Sequence, residues 1–340
     1  MAVIVTFGEI MMRLQPPHYQ RLTQAQTFEI VYGGGEANVA VALQQLGAQA
    51  RYVTALPDHA VGEACMRRLR AYGVDTSCIY RAPGRLGIYF CEKGCSVRPS
   101  VVLYDRKDSL FACSGKEHYD WDAILDGADW LHVTGITPAL SESVREAMMQ
   151  GLRAAKEKGV MVSCDLNYRG KLWSRERACE VMSEVMRYVD VLIANEEDCK
   201  DVFGIVAPHT DIEEGVLNVQ GYEQVCRQVE DRFGIHRIAI TMRESYNASE
   251  NGWSAMFYDH GTCYVSRKYR LQIVDRVGGG DSFAAGLIYA LQKGYGPQQT
   301  VEFAVAASAW KHTVEGDCNE LSLAEITRLA AGGASGRVQR

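Results

Sequence analysis

The stretch DRVGGGDSFAAG, residues 275–286, sets three consecutive glycines and an aspartate at the start of an amphipathic helix. Without side chains, Gly278, Gly279 and Gly280 can turn several backbone N–H groups toward one point, and the helix N-terminus adds its positive dipole end. Such a turn is an anion hole suited to a transferring phosphoryl group. Asp281 lies at its rim, where a carboxylate can take the proton of an incoming hydroxyl. The structural alternative is a tight turn in which Asp281 only caps the helix.

Outward from this stretch, short apolar strands alternate with helices along the chain. Strands are predicted at 2–7, 130–134, 160–165 and 237–241, with helices between them. Alternation of this kind predicts βαβ units. The expected fold class is therefore α/β, a three-layer α/β/α sandwich whose central sheet is mainly parallel and covered on both faces.

Two segments interrupt the alternation, residues 15–32 and 87–112, because their strand-like runs have no helices between them. We predict that they form a small antiparallel β-sheet, a lid beside the main domain. The main domain would then consist of residues 1–14, 33–86 and 113–340. The lid could close over a site or pair with a second subunit, and the structural alternative is a simple extension of the main sheet.

Composition limits the classes of partner. The chain has 340 residues and a formal net charge of −6, whereas nucleic-acid binders usually carry a basic face. No stretch approaches the roughly 20 apolar residues of a membrane span, and no signal-type leader opens the sequence, so the cytoplasm is the expected location. The eleven cysteines are expected to be reduced thiols. Cys91 and Cys95 lack a second pair at zinc spacing.

Three motifs together resemble the PfkB/ribokinase family of ATP-dependent carbohydrate kinases. DRVGGGDSFAAG resembles the family's C-terminal signature, and GGGEANVA at residues 33–40, continuing to Leu46-Gly47, resembles its N-terminal signature. Asn195-Glu196-Glu197-Asp198 resembles the family's N-x-x-E motif. With the opening Gly8-Glu9, the motifs occur in the family's order over nearly the whole chain, which is therefore identified as a member with a ribokinase-like fold.

The resemblance assigns roles to the catalytic and nucleotide-binding residues. It implies Asp281 as the base, Gly278, Gly279 and Gly280 as the anion hole, and ATP with Mg²⁺ as cofactors, with Glu197 acting on the metal through water. The implied nucleotide contacts are Asn167, Asn195, Thr241, Arg243, Tyr246, Gly278 and Gly280. Two positions depart from the family: Arg243, among these contacts, replaces a frequent glycine, and Arg276, in the C-terminal signature, replaces a frequent threonine. A monovalent cation such as K⁺ is expected from the family near Asp275.

The substrate follows from a narrower resemblance. GEIMMRLQPP (8–17), YDRKDS (104–109), DLNYRGKLW (165–173) and TMRESYNASENGW (241–253) look like the branch of the family that phosphorylates 2-keto-3-deoxygluconate, also called 2-dehydro-3-deoxygluconate. On this resemblance the substrate contacts are Gly34, Tyr89, Tyr104, Arg106, Arg169, Asp281 and Asp317. Two guanidinium groups suit a carboxylate. The alternative for each arginine is a surface or lid salt bridge.

The implied reaction is phosphorylation of the terminal hydroxyl of this sugar acid. Arg13 lies near the position where fructokinase-like members present an acidic residue, which argues against a neutral ketose. The alternatives are another sugar or sugar acid, namely 2-keto-3-deoxygalactonate, fructose or ribose, and a non-catalytic carbohydrate-binding regulator. A dinucleotide-dependent oxidoreductase is disfavoured because residues 33–35 lack the G-x-G-x-x-G spacing. The apolar runs 88–90 and 101–103 predict a homodimer formed through the lids.

Overall fold

A computed structural model describes residues 2–208 and 218–333. Met1 and residues 209–217 and 334–340, which the predicted main domain includes, lie outside the described residues. The strands are, in chain order, β1 Val3–Phe7, β2 Met11–Gln15, β3 Glu29–Gly33, β4 Gln49–Val53, β5 Ala55–Pro57, β6 Tyr80–Ala82, β7 Ile88–Glu92, β8 Val101–Asp105, β9 Ala128–Thr134, β10 Met161–Asp165, β11 Val191–Ala194, β12 Arg237–Asn247, β13 Glu250–Asp259, β14 Thr262–Val265 and β15 Tyr269–Gln272. The α-helices are α1 Gly35–Gln45, α2 Ala60–Ala71, α3 Leu110–Cys113, α4 Trp121–Ile124, α5 Thr137–Leu140, α6 Glu142–Lys158, α7 Arg175–Val185, α8 Asp198–Phe203, α9 Val219–Phe233, α10 Gly279–Gln292, α11 Pro297–Lys311 and α12 Leu323–Ala330.

The central sheet has the strand order β14-β13-β12-β11-β10-β9-β1-β4, with β15 paired to β13. Every neighbouring pair from β4 to β12 is parallel, and the pairs formed by β13 are antiparallel. The expected mainly parallel α/β sheet is therefore confirmed. The sequence did not predict the antiparallel strands that follow Thr241, because residues 242–259 contain too many polar side chains to form a recognisable apolar run.

Helices cover both faces of this sheet, as the alternation predicted. One buried cluster joins the sheet to α1, α10 and α11 and contains Leu43, Phe283 and Val305. The other joins the opposite face to α6, α7 and α9 and contains Leu152 and Val229. The parallel strands are apolar on both sides because both sides face helices, which is the pattern of a three-layer sandwich.

A separate four-stranded sheet, which we call the small sheet, has the order β3-β2-β7-β8. Two details of the expected lid are wrong. Residues 11–14 were assigned to the main domain, but Met11–Gln15 pairs with both β3 and β7. The β2–β7 pair is also parallel, because the chain enters the small sheet twice from the main domain. At the other boundary, Phe111 on α3 is buried in the main core beside Phe7.

The register of the small sheet defines its two faces. Arg13, Tyr89 and Tyr104 are cross-strand neighbours and share the face toward the main domain. Leu14 is paired with Ile30 on one side and with Phe90 on the other, and Phe90 is paired with Leu103. Because side chains alternate along a strand, this apolar row lies on the opposite, outer face.

Candidate active site

A cavity of about 510 Å³ lies at the carboxyl ends of the parallel strands, beneath the inner face of the small sheet. Ligands of open α/β sheets bind at this edge. The predicted site residues that line the cavity are Gly34, Tyr89, Tyr104, Arg106, Asn167, Arg169, Asn195, Glu197, Thr241, Arg243, Gly278, Gly279, Gly280, Asp281 and Asp317. Segments far apart in the sequence therefore meet in one cavity, as the motif order predicted.

The glycine turn occupies the floor of the cavity at the start of α10. Gly278 has φ 83°, in the left-handed region, and a Cβ there would clash with the backbone oxygen of Asp317. Among the described residues, no side chain makes a capping hydrogen bond at this position. Gly280 is exposed to the cavity, and a Cβ there would meet no atom of residues 2–208 and 218–333 within 4 Å. The amides of the first turn are therefore available to an anion, supported by the helix dipole.

Asp281 lies in the first turn of α10, half-buried beside the glycine turn. Its Oδ2 accepts a hydrogen bond of 2.7 Å from Nδ2 of Asn38 on α1. Burial raises the pKa of Asp281 to about 6, the Asn38 hydrogen bond opposes the rise, and Asp317 adds to it. A carboxylate tuned in this way is ionised at neutral pH and can still take a proton from a hydroxyl.

Asp317 is held beneath the small sheet by two groups of that sheet. Its Oδ1 accepts a hydrogen bond of 2.6 Å from Arg13, and Oδ2 accepts one from the Tyr89 hydroxyl. Arg13 also donates to Asp275 at 2.7 Å. Arg13 is fully buried and does not line the cavity. Both charged partners of Arg13 are buried carboxylates, so its charge is paired inside the protein and does not face the cavity.

Arg106 lines the cavity and also forms an ion pair with Glu9, a buried residue that follows β1. Arg106 Nε donates to Glu9 Oε2 at 2.8 Å, and Nη2 donates to the same oxygen. The guanidinium carbon lies 5.6 Å from the centre of the Tyr104 ring. The salt-bridge alternative thus holds for Arg106, which keeps only part of its donor set for a ligand.

Arg169 follows β10 and is exposed at the cavity. Its Nη1 donates to the Tyr168 carbonyl at 3.0 Å. Within residues 2–208 and 218–333, Arg169 has no carboxylate within salt-bridge distance. Its positive charge is therefore open to pairing with a carboxylate ligand in the cavity.

A cluster of acidic groups lies at the carboxyl ends of β10 and β11. Asp198 accepts hydrogen bonds from the backbone of Tyr168 at 3.1 Å and of Asn195 at 2.9 Å. Burial raises the pKa of Asp198 and that of Asp165, and for Asp165 the charges of Asp198 and Asp281 add to the rise. Carboxylates that repel one another in this way favour a bound cation.

The nucleotide side of the cavity is formed by β12 and β13. Arg243 lies 3.3 Å from Glu196, and Arg276 donates to the Ala248 carbonyl at 2.9 Å, so each of the two arginines that depart from the family has a partner within the protein while both line the cavity. The predicted strand 237–241 continues to Asn247, so the residues from Thr241 to Tyr246 lie on β12. Alternation along that strand puts Tyr246 on the other side from Thr241 and Arg243. Tyr246 does not line the cavity, and its hydroxyl donates to Glu244 at 2.8 Å.

The sequence alone did not identify several groups of the cavity. Asn38 and Glu36 lie within the quoted motif GGGEANVA, and Asp165 and Asp198 begin or end other quoted stretches. Glu36 is fully enclosed, accepts hydrogen bonds from Thr134 and Thr137 at 2.7 and 2.9 Å, and its burial raises its pKa to about 7. Their position in the chain was the available signal, because Asp165 ends a strand and the other three lie in the first turn of a helix at the cavity edge.

Residues 2–208 and 218–333 contain no group of three or more His, Cys, Asp or Glu side chains arranged to hold a metal ion. None of their helices is long and apolar enough to cross a membrane.

Comparison with known proteins gives consistent matches over the whole fold. The pfkB family of carbohydrate kinases matches residues 1–229 and 249–323. The 2-dehydro-3-deoxygalactonokinase of Haloferax volcanii is 32% identical over 336 residues, 98% of each chain. The 2-dehydro-3-deoxygluconokinase of Thermoproteus tenax is 28% identical over 93% of this chain and 90% of its own. The crystal structure of 2-dehydro-3-deoxygluconokinase from Thermotoga maritima has a TM-score of 0.94 and 47% identity, covering 98% of this chain and 100% of its own.

Proposed function

Since the chain belongs to the pfkB family of ATP-dependent carbohydrate kinases, we propose that it transfers the γ-phosphoryl group of ATP to the terminal hydroxyl of 2-keto-3-deoxygluconate. The substrate assignment depends mainly on the position of Arg169. Its unpaired guanidinium lies in the same cavity as Asp281 and the glycine turn. A linear sugar acid has a carboxylate for the first group and a terminal hydroxyl for the second.

The inner face of the small sheet supplies the remaining substrate contacts in this proposal. Tyr89 and Tyr104 lie side by side on β7 and β8 and line the cavity. Arg106 keeps free donors after its pairing with Glu9, and Gly34 lets the backbone approach closely, since a Cβ there would clash with the Glu9 carbonyl. Asp317, fixed by Arg13 and Tyr89, accepts a hydrogen bond from a sugar hydroxyl.

The chemical step assigns one task to each group at the glycine turn. Asp281, oriented by Asn38, accepts the proton of the terminal hydroxyl as its oxygen bonds to phosphorus. The amides around Gly278, Gly279 and Gly280, with the α10 dipole, stabilise the charge on the phosphoryl oxygens. The products are ADP and the phosphorylated sugar acid. Positioning contributes more than basicity here because the transition state is loose.

Mg²⁺ and the nucleotide fit the side of the cavity that is formed by the acidic cluster and by β12 and β13. Carboxylate oxygens are the ligands that Mg²⁺ prefers, and exposed Glu197 would act on the ion through water, with phosphate oxygens of ATP as further ligands. When bound, the ion neutralises charge on the phosphates. We assign Asn167, Asn195, Thr241 and Arg243 to ATP. A K⁺ ion was expected near Asp275, but the Lys311 ammonium lies there, 3.5 Å from the Asp275 carbonyl oxygen. We therefore assign no step to K⁺.

The galacto epimer, 2-keto-3-deoxygalactonate, is the second candidate substrate. It is favoured by the Haloferax volcanii relative, which is 32% identical over nearly its whole length and acts on that compound by name. The epimers share the carboxylate and the terminal hydroxyl, so Arg169 and Asp281 serve both. One inverted hydroxyl changes only one or two polar contacts.

The outer face of the small sheet supports a homodimer in this proposal. Ile30 and Leu103 are 58% and 50% exposed, and they belong to the apolar row that crosses all four strands. An apolar row of this kind is more often covered than left to water. A second copy of the chain would cover this row. Packing of the two small sheets against each other would hold each sheet over the cavity of its own subunit. We place the protein in the cytoplasm, where its eleven free thiols remain reduced.

The product of the reaction tests the proposed function. The chain is incubated with ATP, Mg²⁺ and 2-keto-3-deoxygluconate, and the product is analysed by ³¹P NMR with proton coupling. A phosphomonoester coupled to the two protons of the terminal CH₂ is expected. A phosphate on any other carbon, or none on the sugar acid, would contradict the assignment of Asp281 to the terminal hydroxyl.

A further inference from the structure

A buried lysine lies directly behind the glycine turn. Lys311 is the last residue of α11 and is 0% exposed. Its Nζ donates to the Val314 carbonyl at 2.9 Å and to the Asp275 carbonyl at 3.5 Å. Its Cε lies 3.3 Å from the point where a Cβ on Gly278 would stand. The chemical step described above gives this group no task.

The contacts of the Lys311 ammonium are those of an alkali cation. Both of its acceptors are main-chain carbonyl oxygens, the ligands that replace the hydration shell of K⁺ in protein sites. The carboxyl-terminal end of α11 adds its negative dipole end. Within residues 2–208 and 218–333, no carboxylate lies within salt-bridge distance of Nζ, so the carbonyls hold the charge.

The charges around the turn balance only when Lys311 is counted. Two buried carboxylates, Asp275 and Asp317, lie next to the turn, and Arg13 bridges them. Burial, the largest effect, lowers the pKa of Lys311, and the charges of Asp275 and Asp317 oppose this fall. With Lys311 the four buried groups sum to zero, and without it a net negative charge stands behind the site where phosphate must bind.

We propose that the ammonium group of Lys311 is a built-in monovalent cation of the glycine turn, which makes the kinase independent of K⁺. The inference rests on the proposed kinase function and extends it to a positioning residue. Lys311 holds the carbonyls of Asp275 and Val314 together and offsets their neighbouring carboxylates. It touches neither the phosphate nor the substrate, and acts through the conformation and charge of the turn at Gly278.

The test compares cations at constant ionic strength. ADP release by the wild-type protein is expected to change less than about twofold when K⁺ is replaced by tetramethylammonium, which is too large for the site. Lys311→Met is expected to lose about 100-fold in kcat in tetramethylammonium, the scale of losing one anion-hole donor. Adding K⁺ or NH₄⁺ should raise the kcat of Lys311→Met at least tenfold. The control Lys156→Met, on an exposed position of α6, should behave as wild type.

Melting temperature gives a second readout that does not depend on catalysis. K⁺ is expected to raise the melting temperature of Lys311→Met relative to tetramethylammonium, and not that of the wild type. If Lys311→Met does not fold, Lys311→Gln, which keeps a donor for the Val314 carbonyl without charge, is measured in the same way.

A wild type that needs K⁺, a variant active without any small cation, or a folded variant that K⁺ neither activates nor stabilises would overturn the proposal. If the wild type phosphorylates none of the sugars, the proposed function fails by itself, and the melting temperatures still decide the role of Lys311.

Discussion

Asn38 donates a hydrogen bond of 2.7 Å to Asp281 across 243 positions of sequence, joining the first turn of α1 to the first turn of α10. The two glycine-rich motifs, at residues 33–35 and 278–280, therefore meet at one carboxylate. The bond fixes which oxygen of Asp281 remains free to face the cavity. It also stabilises the ionised form, against the burial that raises the pKa to about 6.

Replacing Asp281 by asparagine should reduce turnover by about 10³-fold or more while ATP still binds. The amide keeps the size of the side chain but cannot accept the hydroxyl proton, and general-base contributions are about 10²–10⁴-fold. Turnover is measured by ADP release and ATP affinity by calorimetry. Asp231→Asn, on an exposed position of α9, is the matched control. Turnover near that of the control would remove Asp281 from the role of base.

The acidic limb of the pH–rate profile should lie near pH 6, with activity rising as the pH rises through that value, because Asp281 must be ionised to act. Asn38→Ala removes a hydrogen bond that favours the ionised form, so the pKa of Asp281 should rise and the limb should move to higher pH. A hydrogen bond contributes about 1 kcal/mol and one pKa unit is about 1.4 kcal/mol, so the shift should approach one unit. A limb that stays in place or moves to lower pH would contradict this assignment.

Arg169→Ala should raise KM for 2-keto-3-deoxygluconate by about 10–100-fold, since a hydrogen bond to a charged group contributes about 1.5–3 kcal/mol. The effect of Arg106→Ala should be smaller on binding and larger on stability, because it leaves buried Glu9 without its cation. Arg187→Ala, on the exposed surface, is the control. Initial rates over a range of substrate concentrations give KM for Arg169→Ala and for Arg106→Ala. An unchanged KM for Arg169→Ala would remove Arg169 from the carboxylate site.

Two neighbouring glycines should respond to alanine in opposite ways. Gly278→Ala requires a side chain at φ 83° and in contact with the Asp317 backbone, and should cost about 2–4 kcal/mol of the free energy of unfolding. Gly280→Ala meets no atom within 4 Å and should unfold as wild type, yet its methyl group fills space next to the anion hole and should lower turnover. Urea unfolding and ADP release measure the two effects. Equal stability losses would contradict the geometry of the turn.

The apolar row of the small sheet should control the oligomeric state. Leu103→Asp together with Ile30→Asp puts charges into the proposed interface and should convert a dimer to a monomer at micromolar concentration, as measured by light scattering. Val97→Asp, which is 93% exposed and outside the row, is the control. A wild-type monomer at that concentration, or a double variant that remains dimeric, would contradict a dimer through this face.

Much of the fold could be predicted from the sequence because its strongest signals are local. The glycine turn, the apolar strands and the helix stops at Gly47 and Gly159 each depend on a few adjacent residues. Pairings between distant segments gave no such signal. The pattern of residues 11–15 reads as a continuation of β1, and only its register with β3 and β7 assigns it to the small sheet.

The site was predicted to the extent that its residues stand in motifs. The motifs include Asp281 and the glycines, which line the cavity, but not Lys311 behind the turn, since a lysine at the end of a helix is ordinarily a solvated side chain. Arg13 was identified as a cation but not as a buried one, because its partners Asp275 and Asp317 are more than 260 positions away. Tyr246 was misplaced because one residue of strand register decides which face a side chain occupies.

The most direct measurement of the central claim is kcat/KM in a coupled ADP-release assay with ATP and Mg²⁺. The substrates are 2-keto-3-deoxygluconate, its galacto epimer, gluconate, fructose and ribose. The account predicts a kcat/KM for the two keto-acids at least 100-fold above that for fructose and ribose, which lack a carboxylate for Arg169. A neutral sugar used as well as or better than the keto-acids would contradict it.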